Sequence, residues 1–105
     1  MCDRDKYDVY GVDEYGTVQG VEEMKAEIFA RGPIACSINS EADQFDGYSG
    51  GVISCDKDQK GCKAPTDHVI VIAGWGVDDA TNIPYWIGRN SYGARVSLSV
   101  AVCSL

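Results

Sequence analysis

His68, the only histidine in 105 residues, opens an apolar run, Asp67-His68-Val69-Ile70-Val71-Ile72-Ala73-Gly74-Trp75-Gly76. Asn90 comes 22 residues later, behind a second such run, Ile83-Pro84-Tyr85-Trp86-Ile87. An imidazole can take up and release a proton near neutral pH, and the hydrogen bond made by one ring nitrogen decides what the other is able to do. An asparagine oxygen accepting from one nitrogen fixes the ring, adds no charge and leaves the second nitrogen to face a thiol. A thiol can hand its proton to the imidazole before substrate arrives, so a neutral orienting group suffices where a serine nucleophile uses a carboxylate. A lone histidine at the head of a buried strand is otherwise a structural residue satisfied by backbone. It is Asn90, able to meet His68 across a hairpin, that turns the reading toward proton transfer.

The elements that must position this pair are legible from pattern. Val21, Met24, Ile28 and Phe29 fall at helical spacing beside Glu22, Glu23, Lys25 and Glu27, with the acids early, where the positive end of the helix dipole favours them. Gly32 and Pro33 end that helix. Ile34 to Ile38 reads as a short strand, and residues 40–66 as an ordered polar loop with glycine punctuation. Val69 to Ala73 is continuous and β-branched, which predicts a strand buried on both faces. A turn at Asp78 to Asn82 then returns Tyr85 to Ile87 as its antiparallel partner. The lead-in, residues 1–19, is polar and turn-rich, and Ala94 to Leu105 alternates Val96, Leu98, Val100 and Val102 with smaller or polar residues at strand period. One helix followed by several antiparallel strands gives an α+β or mainly-β domain.

Composition narrows the partners. The net charge of −7 and nine scattered basic residues argue against nucleic acid, which needs clustered Lys and Arg. The apolar run Val69 to Ala73 is far too short to cross a bilayer, so no membrane partner is expected. Cysteines at 2, 36, 55, 62 and 103 lean toward an oxidising compartment, and Cys55 with Cys62 would close a small polar loop as the first disulfide to expect. A metal site from Cys55, Cys62 and His68 is disfavoured, because structural zinc wants close ligand pairs and a fourth donor; no cofactor is expected. Met1 to Lys6 is charged with no apolar stretch behind it, which predicts no signal peptide and a piece of a longer precursor or a truncated product.

Four ordered motifs make the sequence resemble the C-terminal half of the papain family of cysteine peptidases, within it the cathepsin X/Z-like branch. They are Glu23 to Ile34, Tyr48-Ser49-Gly50-Gly51-Val52-Ile53, Asp67-His68-Val69 with Ala73-Gly74-Trp75-Gly76, and Tyr85-Trp86-Ile87-Gly88-Arg89-Asn90-Ser91-Tyr92-Gly93. The resemblance implies a two-lobed enzyme with the active site in the cleft between lobes. It implies a papain-like C-terminal lobe at residues 1–93, an antiparallel barrel-like sheet with one main helix, and a divergent tail at 94–105 that could add a strand. His68 matches the catalytic histidine and Asn90 the orienting asparagine; the expected partners are a peptide or protein substrate and the missing N-terminal lobe. A lysosomal or extracellular location is implied too.

The sequence departs from the family pattern in three places. The nucleophile signature expected about 130 residues before the histidine is missing, and none of the five cysteines replaces it: Cys2 is only 66 residues upstream and Cys36 lies inside a strand. Tyr92 stands where the family usually has a tryptophan that shields the asparagine–histidine hydrogen bond. Beyond Gly93 the family's glycine-rich return is absent. Cleavage preference is not readable either, because the resemblance puts the insertion on which the branch's exopeptidase habit depends in the missing lobe. The expectation is therefore a peptidase half-site that is inactive alone, against the alternatives of a non-catalytic binding module or a non-functional remnant. The lobe alone should also expose apolar surface and self-associate.

Overall fold

A computed structural model of the chain describes residues 6–40, 48–54, 65–93 and 100–103. Helix α1 (Val21–Arg31) begins after Gly20, whose φ of 83° places it in the left-handed region, and the Glu23 carboxylate accepts from the Gln19 amide at 3.2 Å. Glu22 and Glu23 occupy the first turn and Arg31 the last, where Arg31 pairs with Glu27 one turn back at 2.7 Å. Gly32, at φ 96°, closes the helix by donating its amide to the Ile28 carbonyl at 2.9 Å, and Pro33 follows. These are the boundaries the sequence predicts. Phe29 is a correction: it stands 88% exposed, because one residue beyond Ile28 turns it about 100° away from the stripe formed by Val21, Met24 and Ile28.

Five strands form one sheet: β1 (Ile34–Ile38), β2 (Val52–Ser54), β3 (His68–Val77), β4 (Pro84–Arg89) and β5 (Val100–Cys103), in the order β1-β3-β4-β5-β2. All neighbours are antiparallel except β2 and β5, which run parallel. β2 lies inside the stretch read from sequence as loop. A three-residue strand is too short to carry a periodicity, and its pairing with β5 is set by tertiary structure. The Cys55–Cys62 bridge expected from sequence falls outside the described residues.

β3 is longer than its apolar run and is not buried on both faces. Ile70 and Ile72, each 2% exposed, point to the side covered by α1, while Val69 is 59% exposed on the other. Alternation wins over the continuous apolar run because α1 packs on only one face of this sheet among the described residues. The core is Ile28, Ile70, Ile72 and Trp86, flanked by Val21, Met24, Ile34, Cys36 and Ile38. A register shift between Ile72 and Gly74 leaves Ala73 as an extra residue. The bulge keeps Trp75 on the helix side, opposite Trp86, with the two rings edge-on at 6.4 Å and the Lys25 ammonium over Trp75. On the reverse face Gly76 leaves room for the Tyr85 ring, whose hydroxyl would sit 2.7 Å from any Cβ there. No helix among the described residues is long and apolar enough to cross a membrane.

Candidate active site

The sheet brings His68 and Asn90 together. His68 is the first residue of β3, opposite Ile38, on the same face as Ile70 and Ile72. Asn90 directly follows β4 and continues the face of Trp86 and Gly88, so the β3–β4 pairing delivers both side chains to one end of the core. His68 Nε2 lies 2.9 Å from Asn90 Oδ1, the half-buried ring against an amide that is only 9% exposed.

The hydrogen bonds also fix where the ring proton sits. The Ser91 backbone N–H, which can only donate, reaches the same Asn90 Oδ1 at 2.8 Å. That atom is therefore the amide oxygen, an acceptor, and Nε2 must be the nitrogen that carries hydrogen. In the neutral ring the basic lone pair then belongs to Nδ1. The Tyr92 ring stacks on His68 with centroids 5.6 Å apart and planes 20° from parallel, forming an aromatic cover that is itself largely exposed. Tyr92 thus puts an aromatic face on the imidazole.

Asp67, quoted from sequence as part of a motif but given no role, makes the densest polar contacts near the ring. Its amide donates to the Ile38 carbonyl at 3.0 Å, extending the β1–β3 ladder by one bond. Its carboxylate accepts from the Ser40 amide at 2.8 Å, and the Ser40 hydroxyl lies 3.0 Å from each carboxylate oxygen. The Ser40 amide above all, helped by the hydroxyl and by the neighbouring His68, holds this carboxyl below its ordinary range. Ser40 was not singled out from sequence. It lies 27 residues from Asp67, and only the β1–β3 register reveals the pairing.

Cys36 sits on β1 opposite Ile70, half-buried, with burial pushing its thiol pKa up. A thiol that keeps its proton is a poor nucleophile, which agrees with reading Cys36 as packing. Among the described residues no group of three His, Cys, Asp or Glu side chains is arranged to hold a metal ion. Two surface grooves, one between α1 and the β3–β4 hairpin and one between residues 12–18 and the start of β1, are lined by neither His68 nor Asn90.

Residues 1–98 match the family described as papain family cysteine protease. The chain is 45% identical to cathepsin Z of Onchocerca volvulus over 83% of its length, which is 26% of that protein. It is 41% identical to cathepsin F of Drosophila melanogaster over 69% of its length, 12% of that protein, and 30% identical to procathepsin L of Felis catus over 86%, 27% of that protein. It thus spans about a quarter or less of these relatives. With a family match along nearly its whole length and an α+β fold consistent with a papain-like C-terminal lobe, the chain belongs to the papain family of cysteine proteases.

Proposed function

We propose that this chain is the C-terminal lobe of a Cys-His-Asn peptidase of cathepsin X/Z-like type, hydrolysing peptide bonds through an acyl-enzyme when joined to a lobe that supplies the nucleophilic cysteine. Residues 1–93 make the lobe and 94–105 its divergent tail. The observation that carries the reading is the His68 Nε2 to Asn90 Oδ1 hydrogen bond at 2.9 Å, with hydrogen on Nε2. Nδ1 is then the atom that accepts the thiol proton, producing a thiolate and an imidazolium. The thiolate attacks the scissile carbonyl, and the imidazolium returns the proton to the leaving amine. The neutral ring next takes a proton from water as it attacks the thioester, and hands that proton to the departing sulfur. Through these transfers Asn90 holds the ring plane, and Tyr92 covers one face of it.

Acyl transfer also requires the nucleophile and oxyanion donors, and their absence forfeits most of the rate enhancement. The chain by itself is therefore inactive. Incubation with a fluorogenic peptide and a thiol-directed epoxide should give no turnover and no active-site labelling; turnover accompanied by covalent labelling of Cys2 or Cys36 would overturn this. Its partners are a peptide or protein substrate and the complementary lobe. A lysosomal or extracellular setting is proposed, in keeping with five cysteines in 105 residues. Val69, Val71 and Ile87 expose apolar surface on the sheet face away from α1, which supports self-association of the lobe alone.

A further inference from the structure

The imidazole is anchored to β4 through Asn90, but its other flanking strand, β1, ends at Ile38, directly opposite His68. What joins them beyond that point is the residue preceding His68. The Asp67 amide meets the Ile38 carbonyl, and the Asp67 carboxylate takes the place of a backbone acceptor for the Ser40 amide, with the Ser40 hydroxyl spanning both oxygens. Two residues past its last ladder pair, β1 is therefore still tied to β3 by three side-chain contacts. We infer that Ser40 is a positioning residue for the half-site: by holding Asp67 it fixes the β1 side of His68 and so sets where the imidazole meets Asn90.

The inference rests on the peptidase reading for its purpose, but its geometry stands independently of turnover. Among the described residues, the titratable groups near the ring are Asp67, adjacent on its own segment, and Tyr92, stacked from the turn after β4. Ile38, opposite His68 on β1, and Asn90, just after β4, carry no charge, and Arg89 lies on the opposite sheet face, paired with Val71. The Asp67 carboxylate, held at a fixed place beside the ring and coupled to it electrostatically, should make its release visible there.

Because the chain has a single histidine, its imidazole gives one set of ring signals by NMR. Two quantities are read on the full chain: the solvent-exchange rate of the Nε2 proton, and the low-pH step that Asp67 protonation imprints on the ring carbon shifts. Ser40→Ala, which removes the two hydroxyl contacts and keeps that of the Ser40 amide, should speed the exchange roughly five-fold, the order of one net hydrogen bond, and move the low-pH step upward by the smaller part that the hydroxyl contributes. Ser40→Thr, which keeps the hydroxyl, should restore both. Asp67→Asn, whose amide oxygen can still accept from Ser40, should remove the step while leaving exchange near wild type, separating the tether from the charge. Should Ser40→Ala fail to fold, Asp67→Ala breaks the whole tether, the Ser40 amide contact included, so it should speed the exchange at least as much, and adding Ser40→Thr to it should change nothing further. Wild-type exchange in Ser40→Ala or Asp67→Ala, or equal effects of Ser40→Ala and Ser40→Thr, would overturn the inference. Neither readout involves catalysis, so a failed peptidase assay and a failed tether are told apart.

Discussion

The two ends of the helix-covered face of the sheet are held together by different physics. At the middle of β3, Ile70 and Ile72 lie under α1 against Trp86 and Ile28 with almost no exposure, and apolar burial fixes their place. At the head of the same strand, two to four residues away, His68 is half-buried and placed by directional contacts: Asn90 on one side, the Tyr92 ring over it, and the Asp67–Ser40 tether toward β1. Packing alone would not choose a ring orientation or a tautomer, while hydrogen bonds do both. The core end supplies stability, and the polar end spends part of it on orientation.

Substitutions should separate these contributions. Ile72→Ala removes a fully buried side chain and should cost about 2–5 kcal/mol, enough to shift or abolish the cooperative unfolding transition in a denaturant titration. Asn90→Ala takes away the shared acceptor of the His68 ring and the Ser91 amide and should cost about 1–3 kcal/mol, with the ring N–H losing its protection by NMR. If Asn90→Ala proved as costly as Ile72→Ala, the division between packing and orientation would fail.

Acidification probes the polar end separately. Asp67 has its folded pKa depressed, so its stabilising contribution is fully present above the ordinary carboxylate pKa and is lost as pH falls through that value and then through the folded one. The difference in denaturant midpoint between wild type and Asp67→Ala should be constant near neutrality and shrink below the ordinary range. A difference that grew with acid would contradict the hydrogen-bond assignment. At the small end, Phe29→Ser, on the exposed flank of α1, should change stability by no more than about 0.5 kcal/mol.

The same contrast explains what could be read from the sequence. α1 and the β1, β3 and β4 runs announce themselves through periodicity, a glycine–proline stop and apolar content, and His68 and Asn90 stand out by residue type at the ends of adjacent strands. The two-sided burial expected for Val69 to Ala73 failed because an apolar run does not tell how many layers cover it. Phe29 was misplaced because its spacing fits the edge of a helical stripe as well as its centre. β2 and the Ser40–Asp67 tether were missed because both depend on register between segments far apart in the chain, which local pattern does not contain. The bulge at Ala73, which keeps Trp75 facing α1, is hidden for the same reason.

The central claim is that His68, oriented by Asn90, is the acid–base half of a peptidase site. Its most direct test joins this chain to the nucleophile-bearing lobe of a papain-family relative and measures hydrolysis of a fluorogenic peptide. The joined protein should turn over substrate, and His68→Ala should lower the rate by on the order of 10² to 10⁴ without changing the fold. An active joined protein in which His68→Ala leaves the rate untouched would contradict the account.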